Sequence, residues 1–115
     1  MHSRAVETWS LLLAAGARLH TSVSIVGETF TFLDRNTTRA VAVAWKASLD
    51  AVSRLRVLPT TSRDLKHAWK YFDRSDLHKL SAVDALSFVL MTDRRIRVAF
   101  AFDGHFAAAG FRLIG

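Results

Sequence analysis

A chain of 115 residues, half of them hydrophobic and only one a proline, has the size and composition of one globular domain around a single core, and a disordered chain is excluded. Lys and Arg outnumber Asp and Glu by 16 to 10, a formal net charge of +6, which suits a nucleic acid or another polyanion as partner, or simple solubility. The absence of cysteine excludes disulfides and thiolate metal sites and fits a cytoplasmic location.

The start imitates a signal peptide, with His2-Ser3-Arg4 ahead of the apolar run from Leu11 to Ala17, but Glu7, Trp9 and Ser10 interrupt it. Val6, Trp9, Leu12 and Leu13 follow helical spacing, which predicts an amphipathic helix from Ser3 to Ala15 stopped by Gly16. No stretch is long enough to span a membrane. Ala17 to Thr21 reads as a short strand, and Thr21 or Ser22 then caps a helix from about Val23 to Leu33. Ile25, Val26, Phe30 and Phe32 predict that this helix is largely buried, so Glu28 within it should have a partner. Asp34-Arg35-Asn36 ends it, and Thr37 or Thr38 starts a longer helix to about Ser53 with Val41, Trp45, Leu49 and Val52 as its apolar stripe. Arg56 to Leu58 is a short strand stopped by Pro59. Ser62 caps the next helix, whose core face carries Leu65, Ala68, Trp69 and Phe72; the three tryptophans read as packing residues. The polar stretch from Tyr71 to Lys79 reads as a loop, with Asp76 as a solvated acid, an outer acid of a site, or a partner of Lys79.

The most informative stretch follows. Ser81 can cap a helix beginning at Ala82 that is apolar on nearly every face (Val83, Leu86, Phe88, Val89, Leu90) and therefore buried. Asp93-Arg94-Arg95 turns the chain, and Val98 to Phe102 reads as a buried parallel strand with Asp103 just past its end. Helix and strand run out and back by similar lengths, roughly 14 Å and roughly 20 Å, so Asp84 and Asp103 can share one rim. In open parallel sheets that rim, beyond the carboxyl ends of the strands, is where ligands bind. Each acid also has an ordinary reading: Ser81-x-x-Asp84 matches a capping box, and Asp103-Gly104 can be a plain turn. Phe111 to Ile114 closes the chain as an edge strand. The alternation of helices with four short strands predicts a single-domain, three-layer α/β/α fold with a parallel sheet.

Taken together, Leu80-Ser81-x-x-Asp84-Ala85-Leu86-Ser87-Phe88, then Ala101-Phe102-Asp103-x-His105-Phe106 and Gly110-Phe111, closely resemble the C-terminal half of PIN-domain ribonucleases of the VapC toxin type. Upstream, Thr21-Ser22-x-x-Ile25-Val26-x-Glu28-Thr29 resembles the family's second acidic motif, and the likeness runs through essentially the whole chain in order. The family opens with a hydrophobic strand ending in Asp-Thr or Asp-Ser, the source of its first metal-binding acid. Nothing here matches it; the chain from Met1 enters directly what reads as the following helix. The resemblance therefore implies a PIN-like fold lacking its central first strand and one acidic residue.

It also implies that Glu28, Asp84 and Asp103 converge. Crowded carboxylates repel one another unless a cation neutralises them, and hard oxygen donors select Mg²⁺ or Mn²⁺. Such an ion can support hydrolysis of a phosphodiester. The resemblance further implies an RNA substrate, tRNA among the candidates, a cognate antitoxin and a homodimer. Arg35, Arg39, Lys79, Arg94, Arg95 and Arg97 offer phosphate contacts, although Arg94, Arg95 and Arg97 fall at the far end of their helix from Asp84. His105 reads as packing the turn. Three functional readings stay open: a metal-dependent ribonuclease, a non-catalytic remnant that binds RNA or an antitoxin, and a flavodoxin-like receiver or nucleotide-binding domain. The last is disfavoured by the lack of a glycine-rich phosphate loop.

Overall fold

The computed structural model describes residues 7, 11, 14–100 and 104–114. The chain divides into two compact units, Ala17–Pro59 and Met1–Gly16 with Thr60–Gly115. Most of the first expected helix lies outside the described residues. Glu7, Leu11 and Ala14 are helical, and Gly16 takes the positive φ (67°) that a terminating glycine supplies.

In the unit Ala17–Pro59, β1 (Leu19–Ser22) leads into α1 (Val23–Asn36), followed by α2 (Arg39–Asp50) and β2 (Leu55–Leu58). β1 and β2 pair in parallel, with Leu19 opposite Leu55 and Ser22 opposite Leu58. Ser22 ends the strand and caps the helix: its hydroxyl accepts from the Ile25 N–H at 3.2 Å, and Thr38 does the same for Val41. The expectation that α1 is buried is overturned. None of its described residues is buried, and Phe32 is 62% exposed. Apolar content marks a face that can be covered; it does not supply the cover.

In the second unit, α3 (Ser62–Ala68) runs into a 3₁₀ turn (Trp69–Asp73), then α4 (Ala82–Asp93), β3 (Val98–Phe100), the one-turn α5 (His105–Ala108) and β4 (Arg112–Ile114). The cap of α3 is Thr61, one residue before the expected Ser62. Its hydroxyl accepts from the Asp64 N–H at 3.2 Å while the Asp64 carboxylate accepts from the Thr61 N–H at 2.9 Å, a reciprocal capping box. Ala68 of the expected core stripe is fully buried, but Trp69 is 51% exposed and Leu65 and Phe72 are exposed too, so only Ala68 of that stripe reaches the core. The packing role read for the tryptophans fails at Trp69; Trp45 is half-buried and Trp9 lies outside the described residues.

β3 and β4 pair in parallel, Val98 opposite Arg112 and Phe100 opposite Ile114. The described strands thus form two short parallel ladders where the sequence predicted one sheet. α4 is buried as expected, from Ala85 through Leu90. Phe88 is its centre, with no exposed surface, and meets Tyr71 and Phe106 edge-on at ring centroid distances of 5.1 and 4.9 Å and Phe111 in a stack at 5.7 Å.

The C-terminal ends of α4 and α5 close the same way. After α5, Gly110 (φ 105°) lets Phe111 N–H reach the Phe106 carbonyl at 2.9 Å and its own N–H reach Ala107 at 3.0 Å. After α4, Ile96 N–H reaches Met91 at 2.8 Å and Arg95 N–H reaches Thr92 at 3.2 Å, but the left-handed residue is Arg95 (φ 56°). Both are Schellman closures, and only the second places a side chain in a conformation that disfavours one. Arg95→Gly is therefore expected to stabilise the protein by about 0.5–1 kcal/mol, read as a higher urea midpoint at unchanged slope.

Candidate active site

Asp84 occupies the first turn of α4, where the helix dipole favours a negative charge. Ser81 caps the helix, its hydroxyl accepting from the Asp84 N–H at 3.1 Å, so half of the expected capping box is present. The Asp84 carboxylate lies 3.7 Å from Nδ1 of His105, and both side chains keep about a quarter of their surface exposed (25% and 26%). The other ring nitrogen of His105 is 2.6 Å from the His78 carbonyl oxygen. A carbonyl can only accept, so Nε2 carries the proton and donates. The ring thereby spans the loop before α4 and the carboxylate on α4, a bridge between segments where the sequence suggested only packing of its own turn.

That loop, residues 74–80, is anchored from both sides. Leu77 and Leu80 are buried in the core. On the polar side, Arg74 donates from Nε and Nη2 to the two Asp76 carboxylate oxygens at 3.0 and 2.6 Å, and from Nη2 to the Ala108 carbonyl at 2.7 Å. Asp76 therefore holds Arg74 and is not the partner of Lys79. Lys79 itself takes a left-handed backbone (φ 55°) directly after His78, a strained turn at the point where the loop offers its carbonyl to His105.

The hydrogen bonds from Arg74 hold the Asp76 carboxyl below its usual range, as those from Arg39 hold Asp34. A carboxylate with a lowered folded-state pKa contributes stability above its unfolded value, about 4, and loses it as pH falls through the lowered value. Asp76→Asn is accordingly expected to melt below the wild type at pH 7, with the gap closing toward pH 3 in a thermal series. Both pairs are exposed, so the gap is small.

The other two expected acids stand differently. Glu28 lies on α1 and is exposed, so the argument that burial demands a partner does not apply to it. Asp103 lies outside the described residues. Among the described residues no group of three or more His, Cys, Asp or Glu stands where it could hold a metal ion. Asp84 by itself fits part of such a site: it is an oxygen donor, partly exposed, and Mg²⁺ binds through one or two carboxylates while retaining water. Arg94 caps the far end of α4 and Arg94, Arg95 and Arg97 are exposed, so this basic cluster is at the opposite end from Asp84, as expected. What the sequence reading missed is Arg74 and the helix His105–Ala108. Arg74 and Ala108 are 34 residues apart, and no local pattern announces their contact.

A model of the PIN domain family matches residues 2–112. The chain is 41% identical over 91 residues, 79% of its length and 69% of the relative's, to the 23S rRNA-specific endonuclease VapC20 of Mycobacterium tuberculosis, with the same figures for strains CDC 1551 and H37Rv. Its fold matches the crystal structure of Mycobacterium tuberculosis VapC20, described as a sarcin-ricin loop cleaving toxin, with a TM-score of 0.75 and 38% identity over 89% of this chain and 78% of that one. The chain belongs to the PIN-domain family, in its VapC toxin type.

Proposed function

We propose that this protein is an endoribonuclease of a toxin–antitoxin pair that hydrolyses a phosphodiester bond in a structured RNA loop, acting in the cytoplasm where such RNA is found. The observation that carries the reading is Asp84: a partly exposed carboxylate at the head of a helix buried from Ala85 to Leu90, with an imidazole fixed beside it. In this reading Glu28, Asp84 and Asp103 would be the ligands of Mg²⁺ or Mn²⁺. When bound, a divalent ion supplies Lewis acidity toward the scissile phosphate and offsets its developing charge. The chain's own contribution is to hold Asp84 at the helix head through Ser81 and to fix the ring of His105 against it. The net charge of +6 supports a polyanionic substrate. The similarity to an endonuclease specific for 23S rRNA favours a ribosomal RNA loop over tRNA, and an enzyme over a remnant that only binds.

The test is incubation with an RNA hairpin carrying the sarcin-ricin loop and, separately, with a tRNA pool, each with Mg²⁺, Mn²⁺ or EDTA. The expected result is a single cut in the hairpin loop with either metal and none with EDTA. Cleavage confined to tRNA overturns the substrate, and binding without cleavage under any metal overturns the enzyme. The partners belonging to this reading are a cognate antitoxin and a second copy of the chain. Exposed Phe32, Val43, Trp69 and Phe72 are side chains that such partners would cover. Light scattering is expected to give twice the chain mass of 12.8 kDa.

A further inference from the structure

We propose that Arg74 is a positioning residue for the reaction, acting through α5 and His105 on the carboxylate of Asp84. The inference rests on the reading above, in which Asp84 belongs to the reacting centre.

α5 is a helix of four residues. A single helical turn has too few internal hydrogen bonds to hold itself, so its placement depends on what it is tied to. Phe106 anchors one side in the aromatic core. Two polar ties run from it to the same loop. At the first residue, His105 Nε2 donates to the His78 carbonyl; at the last, the Ala108 carbonyl accepts from Arg74 at 2.7 Å. Loop and helix are fastened at both ends.

The side chain at the far fastening is itself held in place. Asp76 takes two hydrogen bonds from the Nε–Nη2 edge of the Arg74 guanidinium, and the second proton of Nη2 goes to the Ala108 carbonyl. Only a planar guanidinium can serve a bidentate carboxylate and a third acceptor together; a lysine ammonium has the charge without the fork. The pair is exposed, with 38% and 53% of the side-chain surfaces in solvent. Exposed pairs of this kind contribute little to global stability. What this one does is geometric. It fixes the C-terminal end of α5, and so the pivot on which the His105 ring sits 3.7 Å from Asp84.

The experiment compares the wild type with Arg74→Ala, Arg74→Lys, Asp76→Asn and Asp84→Asn. Cleavage rates of the RNA hairpin give kcat and KM, melting curves give the folded fraction, and long-range ¹H–¹⁵N spectra report the Nε2 proton of His105. Arg74→Ala and Asp76→Asn are each expected to lower kcat by about 10- to 100-fold, the cost of a misplacement near 1 Å, with KM changed less than about twofold. Arg74→Lys is expected not to restore the rate. In all three variants the His105 spectrum is expected to lose its fixed Nε2–H tautomer while the protein stays folded.

A raised KM in Arg74→Ala with Asp76→Asn at full activity overturns the proposal and makes Arg74 a phosphate contact. Loss of rate only in proportion to loss of folded protein, or an unchanged His105 spectrum, also overturns it. If Asp84→Asn is inactive while the Arg74 and Asp76 variants cut normally, the proposal alone fails. If Asp84→Asn cuts as well as the wild type, the reading beneath it fails, whatever Arg74 does.

Discussion

Asp84→Asn is expected to lower RNA cleavage by about 10²- to 10³-fold or more while leaving the protein folded. The substitution preserves shape and removes one negative charge. In the first turn of a helix that charge is worth about 0.3–1 kcal/mol, a small part of the stability of a domain this size. The Ser81 hydroxyl still accepts from the backbone N–H of residue 84, so α4 keeps its cap. At the proposed reacting centre the same charge would have no substitute. An amide oxygen is a far weaker ligand for a hard divalent cation than a carboxylate oxygen. Rate and stability therefore separate, and the check is kcat measured beside the melting temperature of the same preparation. A proportional fall in both would show that Asp84 only caps its helix.

Phe88→Ala is expected to cost about 3–5 kcal/mol. Phe88 is fully buried and touches the rings of Tyr71, Phe106 and Phe111, which come from the 3₁₀ turn, α5 and the residue just before β4. Truncation removes the transfer free energy of the ring, leaves a cavity, and cancels aromatic contacts worth about 0.5–1.5 kcal/mol each beyond their area. Native domains keep only about 5–15 kcal/mol in total, so the variant is expected to lose a large share of its folded population on warming. Phe88→Leu, which refills much of the space, should cost clearly less. Urea unfolding of the three proteins gives the comparison directly. If Phe88→Ala lost under about 1 kcal/mol, this cluster would not be the core of its unit.

What was legible in the sequence was local. α4 announces itself, because Ser81 caps an unbroken apolar run, and Asp84 follows from that cap and from the family motif around it. The pairs Thr21-Ser22 and Thr37-Thr38 likewise mark helix starts by hydroxyl chemistry that acts within three residues, the second of each being the cap, and Gly16 marks a helix end by its backbone freedom. Ser62 reads as the cap of α3, yet its neighbour Thr61 holds that place, as the reciprocal signature Thr61-x-x-Asp64 requires. Coverage was not legible. Phe32 and Trp69 sit at spacings that suit a core face and are exposed, since periodicity says which side is apolar and not whether anything packs on it. The burial once expected around Glu28 was inferred from that same periodicity. Nor was the one-turn α5 visible, because four residues are too few to show a period. The ties from Arg74 and His78 to that helix cross 34 and 27 residues and leave no trace in the local pattern.

The most direct test of the central claim, that Asp84 holds the divalent ion, is a Mn²⁺ titration read at the ring of His105. The ring lies 3.7 Å from the Asp84 carboxylate, so a paramagnetic ion on that carboxylate must broaden its signals. Selective loss of the His105 ring resonances is expected at low Mn²⁺ in the wild type, and their survival in Asp84→Asn at the same concentration. Unbroadened His105 signals in the wild type under conditions where it cleaves RNA with Mn²⁺, or equal broadening in both proteins, would contradict that claim.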